Sequence, residues 1–438
     1  MRIRDAVIGD IILNDWEEAF VRTPSFQRLH RIKQLGNAFH VYPSAMHTRF
    51  EHSLGVCHQI KKLFAQPRFF GSAASPDEEE KRIVQLAGLL HDIVHTPFKH
   101  TLERDTGIIP KEPIASDYGY WTDKIWAEGN TLKQEVKATI KDSLLEILTT
   151  KEHHKLREPY KRQIIEDTLS ADLLDYSRRD AFFTTGAIRQ WDERVYDHIA
   201  LAPYTSKPFL VARITDEEGE EAESAITELT NLLQIRYILN ERVYFYPVKI
   251  AADSLLAKSV RCLLASGKMK VKQFREVSKP LSDEELLNYL ASRTDTPEAA
   301  SYARCLINRQ LPRLAQLFRC GELAEHQEEY IGQCFRGPEN LEKWQEYESK
   351  IASLAGVDKG SIIIYCHDRA MQKKEPDFLV EDKGGELKNL KAHRMWTEIE
   401  GIARKHQLLW RCYVFSLERQ KESLEKVKKA ADEVFRTL

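Results

Sequence analysis

Residues 83–92 read Ile-Val-Gln-Leu-Ala-Gly-Leu-Leu-His-Asp, an apolar run that ends in a histidine and an aspartate. Apolar residues surround nearly the whole helix that this run predicts, so we expect the helix to be buried. An unpaired carboxylate beside such a helix would be costly, and a bound cation offsets that cost. The pair His91-Asp92 therefore indicates a metal site at the end of a core helix.

Two further residues complete this candidate metal site. His52 lies upstream in the stretch 47–55, and Asp172 lies downstream in the stretch 170–180. A single histidine at a helix end is usually structural, but a histidine, a His-Asp pair and an aspartate in this order favour one ligand set. Two imidazoles and two carboxylates suit Mn, Fe, Co, Ni or Zn as the divalent ion. Such an ion activates water for hydrolysis at neutral pH. The predicted ligands are His52, His91, Asp92 and Asp172.

The composition argues against a dedicated nucleic-acid or membrane surface. Of 438 residues, 42% are hydrophobic and 30% are charged, and the formal net charge is −2. Nucleic-acid surfaces need concentrated Lys and Arg, and no apolar run reaches the roughly 18 residues of a membrane span. The seven cysteines are scattered without a Cys-x-x-Cys pair, which indicates reduced thiols. We therefore expect a cytoplasmic protein that requires neither a membrane nor nucleic acid.

Helical periodicity extends over most of the chain, and strand-like runs come near its end. Pro24 can open a helix at its first turn, and Pro247 can kink a longer one. Residues 361–366 and 408–415 are strand-like. The sequence predicts a mainly α-helical protein with a small C-terminal α+β region. The expected helices cover about 15–35, 49–64, 80–91, 130–150, 160–180, 222–265, two stretches within 283–317, and 418–438.

The metal-site residues and their neighbours resemble the HD-domain phosphohydrolases, and within them the deoxynucleoside triphosphate triphosphohydrolase branch. The match is dense over about residues 5–105 and 165–185, and none is apparent after about 320. It implies an HD phosphohydrolase core at 1–200, a helical extension that completes the active site at 201–335, and a C-terminal region of unknown role at 336–438. The stretches that carry the resemblance are 23–36, 49–55, 91–100 and 175–180.

The resemblance implies catalytic roles for residues around the metal. His95 and His100 would line the phosphate site. They suit proton transfer because imidazole ordinarily titrates near neutral pH. We expect His100 to protonate the leaving oxygen, with Glu103 orienting it; the alternative is a pair of structural histidines in a loop. Arg49 would grip a phosphate through two parallel hydrogen bonds, or it forms an ion pair with Glu51 or another acid.

A second group of residues is expected to bind substrate. A bulky Leu35 and Tyr244 would lie under the sugar, Asp180 would contact a sugar hydroxyl, and Tyr176 and Arg236 would contact phosphate. The alternatives are a Tyr–Asp surface stripe, a surface arginine and a core tyrosine. The predicted substrate-binding set is Gln34, Leu35, Arg49, Tyr176, Asp180, Arg236 and Tyr244.

Departures from the resembled family at three positions bear on substrate choice and activation. Leu173 stands where a phosphate-contacting lysine is common, and this removes positive charge. Arg22 and His30 replace an acid and an arginine that seat an activating nucleotide in relatives. We therefore expect activity that does not require guanosine triphosphate at that position.

The predicted reaction converts a deoxynucleoside triphosphate to deoxynucleoside and tripolyphosphate, with Mg²⁺ as a further ion on the substrate phosphates. One alternative is a phosphoesterase acting on another nucleotide or a nucleic-acid end. A second is a nucleotide-sensing or scaffold protein with little turnover. The resemblance also implies a homo-oligomer. A second His-Asp pair at 367–368 and the pair His153-His154 are not expected to take part in catalysis.

Overall fold

Helices predominate in the described part of the chain, where the strands form three small sheets. This confirms the predicted fold class. No helix among these residues combines the length and the apolar character that crossing a membrane requires. The computed structural model describes residues 1–71, 73, 75–110, 114–129, 138–186, 191–216, 218–368 and 376–438.

The helices of the first half include the three that carry or precede the predicted metal ligands. Pro24 opens a helix, as expected, but the helix expected over 15–35 is divided into two short helices and a 3₁₀ turn at Arg28–Arg31. The bounds are α1 Asp15–Val21, α2 Pro24–Gln27, α3 Arg49–Ala65, α4 Glu78–Leu90, α5 Ile114–Glu128, α6 Ala138–Thr149, α7 Tyr160–Gln163 and α8 Ala171–Phe183.

The second half continues mainly in helices. The long helix expected over 222–265 is two helices, because a π-helical turn at Asn240–Tyr244 ends the first and Pro247 begins the second. The bounds are α9 Glu223–Leu239, α10 Pro247–Ala265, α11 Val271–Ser278, α12 Asp283–Ala291, α13 Pro297–Ile307, α14 Glu325–Cys334, α15 Leu341–Ala355, α16 Trp396–Gln407 and α17 Lys421–Arg436.

The strands form three sheets, two of which include strands distant in sequence. Strands β1 and β2 form an antiparallel hairpin, β3-β4-β7-β8 form a four-stranded sheet in which β4 and β7 are parallel, and β5-β9-β6 form an antiparallel sheet. The bounds are β1 Arg2–Asp5, β2 Gly9–Ile12, β3 Ile199–Tyr204, β4 Lys207–Arg213, β5 Arg313–Arg319, β6 Ile362–Cys366, β7 Leu379–Glu381, β8 Leu387–Asn389 and β9 Arg411–Ser416.

Strand β5 corrects a helix that the sequence predicted up to residue 317. Helix α13 ends at Ile307, and Arg309 takes a left-handed backbone conformation with φ of 54°. Pro312 then lacks the N–H that a helix would need. The chain continues as β5, which pairs with β9.

Buried apolar side chains form two large clusters. The body cluster contains residues between 11 and 243 together with residues between 378 and 399. The lobe cluster contains residues 98–109, residues between 250 and 366, and residues between 410 and 435. Helices α3, α4 and α8, which carry the predicted ligands or end beside them, contribute to the body cluster.

Candidate metal centre and active site

Three helices bring the predicted metal ligands together. His52 lies within α3, and His91 is the residue that follows α4. Asp172 lies in the first turn of α8, whose N-terminus is capped by the side chain of Ser170. A capped first turn fixes the direction in which the carboxylate leaves the helix. The three side chains therefore meet between helices that are far apart in sequence.

The ligand atoms lie at distances suited to a shared ion. Nε2 of His52 is 3.0 Å from Oδ1 of Asp172, and Nε2 of His91 is 3.8 Å from the same oxygen. Ligand atoms of these three residues all lie within 4.8 Å of one another. Metal–ligand bonds of about 2.0–2.2 Å would span such a cluster.

The Nε2 atom of His91 supplies an independent test of the fit. Nδ1 of this imidazole lies 2.7 Å from the carbonyl oxygen of Gly88, so Nδ1 carries the proton and Nε2 carries the lone pair. Nε2 is buried, and no hydrogen-bond donor among the described residues reaches it. A buried nitrogen lone pair without a partner is costly. A metal ion would satisfy it, so the donor set fits a divalent ion.

Asp92, the fourth predicted ligand, lies beside this cluster and contacts a cation. Its oxygens are 3.5 Å from Nε2 of His91 and 3.8 Å from Nε2 of His52. Arg49 donates a hydrogen bond to Oδ2 of Asp92. Burial alone would raise the pKa of Asp92, but nearby positive charge, most of all that of Arg49, holds that pKa well below its usual range. The carboxylate is thus ionised and available to an ion.

A buried charge chain behind His52 was not assigned a role from the sequence. Nδ1 of His52 lies 2.8 Å from Oδ2 of Asp175, and Arg179 donates to both oxygens of that carboxylate. Arg179 also donates to Asp5 at 2.7 Å. This chain turns Nε2 of His52 towards the metal cluster. Asp175 and Arg179 stand four residues apart in α8, a spacing that could have indicated the pair.

The charge chain also sets the protonation of His52. Burial lowers the pKa of His52, but hydrogen bonds to Asp172 and Asp175 outweigh burial and raise it to about 10. A metal ion at Nε2 would take the place of that proton, as metal binding to histidine generally requires.

Gly55 is required where α3 approaches the charge chain. A Cβ atom at this position would lie 1.9 Å from Oδ1 of Asp175 and 2.7 Å from Nη2 of Arg179. Only glycine leaves room for the carboxylate and guanidinium against α3. The glycine in the stretch 49–55 thus serves the orientation of His52.

His95 and His100 lie next to the ligand cluster. Their ring centroids are 5.5 Å apart, and Nδ1 of His95 is 3.2 Å from Oδ1 of Asp92. Burial, followed by the charge of Arg49, lowers the pKa of both imidazoles well below the usual value. Both rings are therefore neutral near pH 7.

Two neighbours hold the segment that carries these histidines. Glu103 forms ion pairs with Lys99 at 3.8 Å and with Arg275 at 3.6 Å, and its role in orienting His100 stays a prediction. Arg28 donates to the carbonyl oxygens of Ile93 and His95 at 2.7 and 2.8 Å. Arg28 was not predicted as a site residue, although it lies in the stretch 23–36.

Asp180 connects two aromatic residues at the far end of α8. Its Oδ1 lies 2.8 Å from Nε2 of His47, and its Oδ2 accepts a hydrogen bond from the Tyr244 hydroxyl at 2.5 Å. His47 stacks on Phe183 with ring centroids 4.7 Å apart. The structure therefore brings together Asp180 and Tyr244, and it adds His47, which was not assigned a role.

The remaining predicted substrate residues lie near this group. Oε1 of Gln34 is buried and has no hydrogen-bond partner among the described residues, and Leu35 is 9% exposed. Burial raises the pKa of Tyr176 to about 12, and the charge of Arg236 opposes that rise. Arg236 lies in the last turn of α9 and is half-buried. Tyr176 follows Asp172 by one helical turn of α8.

The residues expected to replace an activator site make local contacts. Arg22 pairs with Glu18 at 2.6 Å, and His30 stacks on Phe50 with ring centroids 3.5 Å apart.

His367, of the second His-Asp pair, is buried directly after β6, and burial lowers its pKa to about 3.

Two family models match the chain. The HD domain model matches residues 49–180, and the model of the HD associated region matches residues 213–437. The first range contains all four predicted metal ligands. The second extends beyond residue 320, where no resemblance had been apparent from the sequence, and corrects that expectation.

Curated relatives match part of their own length. The MG461 homolog of Mycoplasma pneumoniae is 34% identical over 186 residues, which are 41% of this chain and 43% of that protein. The deoxynucleoside triphosphate triphosphohydrolase SAMHD1 homolog of Dictyostelium discoideum is 25% identical over 304 residues, which are 65% of this chain and 52% of that protein. The matches therefore span about half the length of these relatives.

A solved structure shares the fold. The crystal structure of a phosphohydrolase from Bacteroides thetaiotaomicron superimposes with a TM-score of 0.68 at 22% identity, covering 96% of this chain and 100% of that chain. At this identity the likeness concerns the fold alone.

We predict that Asp172→Ala lowers the metal content of the purified protein and abolishes turnover. The change removes one anionic ligand, while the side chain is 28% exposed and contributes little to the core. Metal analysis and thermal unfolding measure the two effects. The exposed Asp197→Asn serves as the control. Full metal occupancy at the wild-type rate in Asp172→Ala would contradict the ligand assignment.

A second prediction concerns Gly55→Ala. The new methyl group displaces Asp175 and Arg179, so we expect metal affinity to fall about ten- to a hundredfold and stability to fall by ~1–3 kcal/mol. Gly401→Ala is the matched control, because it lies within α16 and a Cβ there meets nothing within 4 Å. That control should stabilise the protein by ~0.5–1 kcal/mol. Equal behaviour of the two variants in metal titration and urea unfolding would refute the role given to Gly55.

Proposed function

Because the chain belongs to the HD-domain phosphohydrolase family, with an HD domain followed by an HD associated region, we propose that it hydrolyses deoxynucleoside triphosphates. The products are a deoxynucleoside and tripolyphosphate. The cofactor is a divalent transition metal, with Mg²⁺ on the substrate phosphates. A homo-oligomer and a cytoplasmic location stay predictions from the sequence.

The observation that carries this proposal is the cluster of His52, His91 and Asp172 around the unpartnered Nε2 of His91. His52, His91, Asp92 and Asp172 would hold a divalent ion, which when bound would supply an activated water and polarise a phosphoryl oxygen. The residues of the chain then have to bind the phosphates, hold the sugar and provide a proton for the leaving oxygen.

His95, Arg49 and His100 are suited to the phosphate end of this reaction. Arg49 is held by Asp92, so its guanidinium is oriented before substrate arrives. Together with His95 it stabilises charge that develops on the phosphate. Burial keeps His100 neutral in the free protein, and an adjacent phosphate would raise its pKa. Protonation of His100 is thereby coupled to substrate binding, and the ring then donates to the departing 5′-oxygen.

Leu35, Gln34, Asp180 and Tyr244 support a deoxyribose site. The buried Oε1 of Gln34 offers an acceptor to a sugar hydroxyl. Each oxygen of Asp180 already accepts one hydrogen bond and retains a lone pair for another. Leu35 is apolar and cannot pair with a 2′-hydroxyl. These side chains favour a sugar that has a hydroxyl at the 3′ position and none at the 2′ position.

One observation favours a second candidate, a phosphoesterase acting on a nucleotide with fewer phosphates. Leu173 is 2% exposed and belongs to the body cluster, so no cation extends from this position of α8. A site with less positive charge suits a shorter phosphate chain. A nucleotide-sensing or scaffold protein with little turnover would bind the same ligands without product.

Identification of products from a metal-by-substrate matrix tests the proposal. The purified protein is assayed with Mn²⁺, Fe²⁺, Co²⁺, Ni²⁺ or Zn²⁺ against deoxynucleoside mono-, di- and triphosphates. We expect tripolyphosphate and deoxynucleoside from the triphosphate, and no product from Asp172→Ala. Release of orthophosphate instead would support the second candidate. Binding of nucleotide and metal without product would support the sensing protein.

A further prediction concerns the sugar. If Leu35 and Tyr244 close under the 2′ carbon, an unpaired hydroxyl there costs ~1–3 kcal/mol, so kcat/KM for deoxynucleotides should exceed that for ribonucleotides about ten- to a hundredfold. Leu35→Ala should narrow this ratio, whereas the exposed Leu408→Ala should leave it unchanged. Equal kcat/KM for matched ribo- and deoxynucleoside triphosphates in the wild type would contradict the assignment.

A further inference from the structure

Arg104 lies on the π-helical turn His100–Asp105 that carries His100. Hydrogen bonds in a π-helix join residues five apart, so positions 100 and 104 fall within one turn and on nearly the same face. The Arg104 side chain is half-buried. The side chains of His100, the proposed general acid, and of Arg104 therefore extend from nearly the same face of this turn.

Electrostatic effects indicate where the Arg104 guanidinium lies. After burial and the charge of Arg49, the charge of Arg104 contributes to the low pKa of His100. It also opposes the burial that raises the pKa of Tyr176, and it acts on Lys249 in α10. The guanidinium is therefore within electrostatic range of His100, of Tyr176 in α8 and of Lys249 in α10.

Arg104 also differs from other cations of this region in its partners. Arg49 donates to Asp92, and Lys249 contacts Asp253 at 2.6 Å. Within the described ranges, no acid pairs with the side chain of Arg104 or of Arg236. A half-buried guanidinium without an anion is costly, and a bound anion offsets that cost. The two arginines therefore leave positive charge near Tyr176 available to a ligand.

We propose that Arg104 binds the terminal phosphates of the substrate and makes the site selective for polyphosphate chains over monophosphates. This inference rests on the proposed function, since it assigns the phosphates beyond the one that reacts at the metal. Tyr176 follows Asp172 by one turn of α8, so a phosphate chain that extends from the metal site past Tyr176 comes within electrostatic range of Arg104. Leu173 contributes no positive charge to the site, and Arg104 would supply that charge from the π-helical turn instead.

Binding of inorganic phosphates to the Mn²⁺-loaded protein tests the proposal without requiring turnover. Titration calorimetry compares tripolyphosphate with orthophosphate for wild type, Arg104→Gln, Arg104→Lys and the control Arg242→Gln, an exposed arginine on the other π-helical turn. We expect Arg104→Gln to weaken tripolyphosphate binding about ten- to a hundredfold. Orthophosphate binding should change less than about threefold. Arg104→Lys should be intermediate, and Arg242→Gln should match the wild type.

The outcomes separate this inference from the proposed function. Wild-type affinity for tripolyphosphate in Arg104→Gln, with release of tripolyphosphate from a deoxynucleoside triphosphate intact, overturns the inference alone. If Arg104→Gln weakens the binding of tripolyphosphate and of orthophosphate equally, Arg104 does not make the site selective for polyphosphate chains. If wild type does not prefer tripolyphosphate, the inference fails, and parallel product identification shows whether the proposed function fails with it. Circular dichroism of each variant establishes that the fold is retained.

Discussion

The carboxylate of Asp175 is the group on which the geometry of the candidate metal centre depends. It is buried between α3 and α8, and it orients His52 while Arg179 holds both of its oxygens. Arg179 continues the chain to Asp5 in the N-terminal hairpin. Removing one member of such a buried set leaves an uncompensated charge, at a cost of ~3–5 kcal/mol. The direction of one imidazole is therefore fixed by charges that join three parts of the chain.

The proximity of three of the candidate metal ligands could be predicted from sequence, because their chemistry and order carry the information. His52, His91 and Asp172 lie on segments with clear helical periodicity, and the structure brings all three together. The charge chain was less accessible. Asp175 and Arg179 have the spacing of an ordinary surface ion pair, and only their burial by α3 gives them a role in orienting His52.

Two of the predicted helices differ from the structure for identifiable reasons. The residues of β5 carry apolar side chains that also suit a helix, and their partner strand β9 lies about a hundred residues later in the chain. Strand preference depends on such partners more than on local sequence. Likewise, Pro247 was expected to kink one helix, but a π-helical turn ends α9 first and the proline opens a new helix.

The parallel pairing of β4 with β7 has a consequence for synthesis of the chain. Val211 in β4 pairs with Leu379 in β7, and the body cluster includes side chains up to Ile399. Domains generally fold as they leave the ribosome, N-terminal first. Here the body cannot close its core until most of the lobe has also emerged. The apolar surface of the incomplete body cluster stays exposed in the nascent chain during that interval. The chain is then most prone to aggregation and most dependent on chaperones.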